Sequence, residues 1–167
     1  MLLGRNIIRK EATGDSFSAG VYGSIIATAL VGALHEEHAS PGKVALSLVS
    51  SMAVFFLAHT WSEITGERIY LGTRFSWRHA WEIALSEWPL VEATFGPLVP
   101  LIVGAAGGAS ERTASTIALA VCVLQCLGWG LAVGARAYDR WWQIALSAAT
   151  TSVLALSVVG LEVVVLH

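Results

Sequence analysis

Long apolar runs make up most of this chain, and the short segments between them hold most of its charged residues. Five such runs are present, and a helix needs about 20 mostly apolar residues to cross the hydrocarbon core of a bilayer. Charged residues account for 13 % of the chain, roughly half of the share found in soluble domains, which is about 25 %. The sequence therefore predicts an all-α integral membrane protein, a single domain built as a bundle of about five transmembrane helices.

The predicted spans cover residues 17–34, 43–63, 77–107, 113–138 and 141–166. The first is expected to have Asp15 or Ser16 as its N-cap. The third begins with an amphipathic segment that we expect at the membrane interface. We expect prolines to break this third helix, because proline lacks a backbone N–H and its ring clashes with the carbonyl four residues earlier. These prolines are Pro89, Pro97 and Pro100. The alternative is a four-span bundle in which the third segment is re-entrant.

Basic residues in the connecting segments predict the orientation of the bundle. With five spans, Lys43 and Arg112 fall on one side and eight basic residues fall on the other. The eight are Arg5, Arg9, Lys10, Arg68, Arg74, Arg78, Arg136 and Arg140. Cytoplasmic connections are enriched in Lys and Arg, so the N-terminus is predicted to be cytoplasmic and the C-terminus to lie on the opposite side. Most of the tryptophans also stand near the predicted cytoplasmic face, either as an interfacial belt or as the wall of a cavity.

Two similar segments carry the clearest chemical pattern. His59 and Glu63 are separated by four residues at the end of the second span, and His79 and Glu82 by three in the segment leading into the third. Each pair shares one face of a helix, and the short connection is expected to bring both pairs together. Imidazole and carboxylate groups together suit a transition metal and also suit proton relay. Pairing of these charges with nearby arginines at the interface is the third interpretation.

Glu92, with Glu87 one to two turns before it, is the hardest residue to explain without a function. A carboxylate inside an apolar span costs a few kcal/mol unless it is protonated, paired or hydrated. We expect Glu92 to form the deepest site of an ion or proton pathway, with His59 or Gln125 as its partner. Pro97 and Pro100 leave carbonyls near Ala93 and Gly96 without their usual helical donor, which would suit a cation or a proton path.

The loop after the first span has a weaker pattern. Its sequence, His35, Glu36, Glu37 and His38, places two histidines beside two acids, so divalent cation capture is one interpretation and a solvated polar loop is the other. Glycines four residues apart, at 104 and 108 and at 130 and 134, are expected to let helices approach closely.

These features predict a homo-oligomeric channel or carrier for protons or small cations, with the lipid bilayer as its environment. Two alternatives remain at this stage. One is a membrane enzyme or redox subunit that holds a transition metal or haem, or a quinone, near His59, Glu63, His79 and Glu82. The other is an accessory subunit of a membrane complex. Neither a catalytic motif nor a basic tract for nucleic acid is present in the sequence.

Overall fold

The computed structural model describes the backbone of residues 2–72 and 76–166, and the side chains of residues 16–70, 72 and 76–161. The described residues form six helices. They are α1 (Leu2–Glu36), α2 (Pro41–Leu71), α3 (Trp77–Ser86), α4 (Trp88–Ala105), α5 (Glu111–Ala137) and α6 (Trp141–Leu166). All regular structure in this part of the chain is therefore helical, as the apolar runs predict.

Five of these helices are long and apolar enough to cross a membrane. The five candidate spans are Ser16–Glu36, Pro41–Tyr70, Trp88–Ala105, Glu111–Ala137 and Trp141–Leu161. The shortest has 18 residues and rises about 27 Å at 1.5 Å per residue, close to the thickness of the hydrocarbon core. The span count matches the five-span prediction, and the length and composition of the helices are compatible with an integral membrane protein.

The spans alternate in direction around α1, which packs against all the other helices. Gly20 of α1 lies against Trp129 of α5, and Thr28 lies against Cys126, so these two helices are antiparallel. Arg68, Arg78, Arg136 and Arg140 consequently lie at the end of the bundle where the first span begins, which we call the basic end. Lys43 and Arg112 lie at the opposite end. Arg74 lies outside the described residues.

Small residues line the inside of the bundle, and large apolar residues cover its outside. The buried positions include Ala19, Ser24, Ala27, Ala118 and Cys122. The exposed ones include Leu46, Val54, Leu57, Leu124 and Leu161, each at least 64 % exposed. Helices in lipid associate through small residues because lipid tails are as apolar as leucine. This distribution agrees with the membrane environment predicted from composition.

Glycines set the closest helix contacts. Gly130 and Gly134 of α5 lie against the backbone of α6 at Ala148 and Ile144, as the four-residue spacing predicts. Gly104 packs against Ala114, but Gly108 follows the end of α4 and does not extend this contact along a helix face.

Three helix boundaries differ from the sequence prediction. α1 begins at Leu2, so Asp15 and Ser16 lie inside a helix rather than at its N-cap. α2 continues eight residues beyond Glu63 to Leu71 and is capped by Gly72, whose φ of 62° suits glycine at this position. α4 continues through Pro97 and Pro100, and the break in the third segment falls at Glu87 instead.

Candidate functional site

Glu87 stands at the junction of α3 and α4, and its side chain is buried. Only 4 % of the residue is exposed, although it carries a carboxylate. The junction is explained by Pro89, because a continuous helix would press the proline ring against the Leu85 carbonyl and remove that carbonyl's donor. As the residue that precedes α4, Glu87 also lies at the positive end of the helix dipole, which favours a negative charge.

His59 of α2 is the partner of this carboxylate. Its Nε2 atom lies 3.2 Å from a carboxylate oxygen of Glu87, and the two side chains are 41 % and 5 % exposed. The ring of Tyr22, on α1, stacks on the imidazole with 5.9 Å between ring centroids. Helices α1 and α2 and the α3–α4 junction thus bring a buried acid against a histidine whose side chain is partly exposed.

Two buried hydroxyls near this site differ from the others in the bundle. Serine and threonine inside helices usually donate to the carbonyl four residues earlier, as Ser24 and Thr28 do in α1. Thr60, which follows His59, and Thr94, two turns after Glu87 on the buried face of α4, have no hydrogen-bond partner among the described residues. Each therefore retains hydrogen-bonding capacity along the contact between α2 and α4.

The two histidine–glutamate pairs do not converge on one point as the sequence predicts. His79 hydrogen-bonds Glu67 and lies 3.8 Å from Glu82, whereas His59 contacts Glu87. Glu63 is exposed, and no ion pair joins it to another described residue. Among the side chains that the structure describes, no group of three or more His, Cys, Asp or Glu is placed to hold a metal ion. This arrangement does not support the metal-binding interpretation.

Glu92 occupies a different position from the predicted one. Its side chain is exposed on the outward face of α4, which it shares with Trp88, Phe95 and Val99, also exposed. His59 contacts Glu87 rather than Glu92. Gln125 of α5 packs against Gly96, one turn after Glu92, and the Gln125 Oε1 atom is buried without a hydrogen-bond partner among the described residues.

Some residues of the site could not be assigned to it from sequence alone. Glu67 contacts His79 because α2 continues past the predicted end of its span. The four-residue spacing of Glu63 and Glu67, which places them on one helix face, is the sequence feature that could have indicated this continuation. Tyr22 and the two threonines carry no local signal, because only helix packing brings them to Glu87.

At the basic end, the tryptophans face outward. They are Trp61, Trp77, Trp81, Trp88, Trp141 and Trp142, each at least 44 % exposed. This exposure is that of an interfacial belt, although Trp88 and Trp142 each also line a surface pocket.

The contact of His79 with Glu67 predicts a pH-dependent attachment of α3 to α2. The hydrogen bond to Glu67 raises the pKa of His79 above its usual value of about 6.5, with partial burial acting in the opposite direction and Glu82 adding to the rise. A raised pKa in the folded state means that the stabilisation is complete at low pH and is lost as the pH rises through that pKa.

Hydrogen exchange of residues 77–86, corrected for intrinsic rates, checks this expectation. Because these side chains are half exposed, we expect His79→Gln to speed exchange by no more than about fivefold at acidic pH. The difference from wild type should vanish at alkaline pH. A difference that grows with pH would contradict the assignment, and Arg140→Gln serves as a control outside this contact.

No known protein family matches this chain, and neither a characterised protein nor a solved structure shows significant similarity to it. The geometry of the side chains described above is therefore the basis for assigning a function.

Proposed function

We propose that this protein is a homo-oligomeric membrane protein that moves protons across the bilayer, with the His59–Glu87 pair taking up and releasing the proton. The observation that carries the proposal is a carboxylate, 4 % exposed, that lies 3.2 Å from a histidine with a 41 % exposed side chain. A charge at this depth is costly unless it is paired or neutralised by a proton. In this pair, a protonated His59 can balance the charge of the Glu87 carboxylate, and the carboxylate can also be neutralised by binding the proton itself.

The surroundings of the pair favour a proton over a metal cation. A proton can pass between hydrogen-bonding groups, and the buried hydroxyls of Thr60 on α2 and Thr94 on α4 have no hydrogen-bond partner among the described residues. Hard cations such as Mg²⁺ and Ca²⁺ require several oxygen ligands, whereas an imidazole lies against the carboxylate here. The partly exposed side chain of His59 is the group that we propose exchanges protons with water at the basic end.

The Glu92 face supports the oligomeric part of the proposal. Glu92 is the fifth residue of the 18-residue candidate span Trp88–Ala105, and an acidic side chain that faces lipid within a span is costly. A second copy of the chain that packs on this face of α4 would replace lipid around Glu92 with protein. The amide of Gln125, on the adjacent face of α5, offers donors of the kind that a carboxylate accepts.

Proton flux into proteoliposomes tests the function. Vesicles that contain the purified protein and a pH-sensitive dye should equilibrate an imposed pH gradient faster than protein-free vesicles, with valinomycin and potassium present to remove the opposing voltage. Equal rates in the two preparations would refute the proposal. Flux of sodium without protons, measured in vesicles without valinomycin, would favour an ion channel instead.

Disulfide cross-linking in native membranes tests the oligomer. Val99 is 63 % exposed on the Glu92 face, and Leu46 of α2 is 70 % exposed elsewhere. We expect Val99→Cys to form a covalent dimer on mild oxidation and Leu46→Cys to remain monomeric, because only the first residue lies on the proposed interface. The native cysteines at 122 and 126 are buried and do not compete. The reverse pattern would contradict an interface on α4.

A further inference from the structure

A cavity of about 420 Å³ opens at the end of the bundle opposite the basic end, between the C-terminus of α1 and the N-terminus of α5. Side chains of both charges line it. The lining residues are His35, Glu36, His38, Ala39, Glu111, Arg112, Ser115 and Thr116. Three of the four loop residues that the sequence suggested for cation capture therefore face this cavity, in the company of an arginine.

The opposite charges around this cavity do not neutralise one another. Within the part of the chain that the structure describes, no ion pair joins Arg112 to Glu36 or Glu111, although all three line the same space. Carboxylates and a guanidinium that share a cavity without pairing are suited to a ligand that carries both charges. A divalent cation fits poorly, because the guanidinium repels it.

The loop geometry fixes the position of one donor. His38 has a φ of 54°, a left-handed conformation that is uncommon for residues other than glycine. Its Nδ1 atom lies 2.8 Å from the carbonyl oxygen of Glu36, so Nδ1 is the protonated nitrogen in the neutral ring. The Nε2 atom is left for another contact. Ser115, which is 3 % exposed, is the most buried polar residue of the lining.

We propose that this cavity binds the headgroup of a zwitterionic phospholipid with a primary ammonium group, a phosphatidylethanolamine. The guanidinium of Arg112 has the fork of donors that matches a phosphate, and the carboxylates of Glu36 and Glu111 accept hydrogen bonds from an ammonium. Glu36 ends one candidate span and Glu111 begins another, which places the cavity at headgroup depth. A lipid is therefore favoured over a soluble zwitterion.

The lining also distinguishes between headgroups. A choline headgroup has no N–H to donate, and quaternary ammonium groups are recognised by aromatic cages. The described lining of this cavity contains no Trp, Tyr or Phe. A phosphatidylglycerol headgroup carries no ammonium and would leave both carboxylates without a partner.

Native mass spectrometry of the full chain, released from nanodiscs of mixed lipids, tests the proposal. We expect phosphatidylethanolamine to remain bound about tenfold more than phosphatidylcholine or phosphatidylglycerol, and Arg112→Gln to reduce its retention about tenfold, as loss of one charge-assisted hydrogen bond implies. Glu111→Gln should reduce the preference over phosphatidylglycerol, because one of the two carboxylates that accept from the ammonium is lost. Lys43→Gln is the matched control, a basic residue at the same end outside the cavity.

Three results would overturn this inference. Equal retention of the three lipids would show that the cavity does not select among headgroups. Unchanged retention of phosphatidylethanolamine in Arg112→Gln would show that the lipid does not bind in this cavity. Full displacement of the lipid by free phosphoethanolamine at the lipid's own concentration would assign the site to a soluble ligand. None of these outcomes bears on proton flux, because the cavity and the His59–Glu87 pair lie at opposite ends of the bundle.

Discussion

Replacing Glu87 with glutamine is expected to reduce proton flux in proteoliposomes by about a hundredfold, within the range by which acid–base groups contribute to proton transfer. Glutamine has the shape of the glutamate and fits beside His59, which lies 3.2 Å from the carboxylate, but it neither binds nor releases a proton. A neutral amide also costs less to bury than a charge. The variant should therefore remain folded while its flux is lost.

Two further variants separate proton transfer from structural damage. His59→Gln is expected to reduce flux about tenfold, less than the loss in Glu87→Gln, because the histidine is partly exposed and water can replace it. Asp139→Asn changes an exposed acid at the same end of the bundle and should leave flux unchanged. Wild-type flux in Glu87→Gln, with helix content and thermal stability preserved, would contradict the role of the pair.

A large stability effect is expected at Gly130, where α5 packs against the backbone of α6. A Cβ atom added at this position would lie 2.6 Å from the Cα of Ala148 and 3.1 Å from the Ser147 carbonyl oxygen. Since both contacts are with backbone, the helices themselves must separate. We expect Gly130→Ala to lower the free energy of unfolding by about 2 kcal/mol, in the range measured for overpacked interiors.

Gly128 provides the matched control for this effect. It lies on the same helix two residues earlier, and a Cβ there meets nothing within 4 Å. Gly128→Ala should leave stability unchanged or raise it, because alanine favours the helix by up to about 1 kcal/mol. Reversible unfolding in mixed micelles with increasing SDS measures both variants. Equal stability of the two would show that the helices are not packed through Gly130.

The helical architecture followed from the sequence because long apolar runs leave few alternatives. A run of about 20 apolar residues in lipid must satisfy its own backbone hydrogen bonds and is therefore helical. Arg68, Arg78, Arg136 and Arg140 meet at one end for the same reason, since an alternating five-span bundle brings their segments together. The start of α1 was not predicted, because local polarity does not prevent a helix from continuing outside a span.

The burial of Glu87 and the exposure of Glu92 could not be read from the sequence alone. The two residues are five positions apart, which is about 140° around a helix, so only one of them can face inward. The buried residues of α4, which include Leu90, Thr94 and Leu101, define the inward face. Glu87 lies on the extension of that face, and Glu92 lies opposite. Position along the predicted span favoured Glu92 as the buried acid, whereas the direction of each side chain around the helix identifies Glu87.

The grouping of the histidines depended on distances that the sequence does not contain. The predicted end of α2 near Glu63 placed both pairs side by side at one level. The longer α2 separates them along its axis, so that His59 contacts Glu87 and His79 contacts Glu67.

Infrared difference spectroscopy of the Glu87 carboxyl group is the most direct test of the proton-carrying pair. We predict that the protein in lipid shows a buried carboxyl band that appears and disappears over the pH range in which flux changes. This band should be absent in Glu87→Gln, and its midpoint should shift in His59→Gln. A Glu87 carboxyl that keeps one protonation state throughout that range would contradict the account.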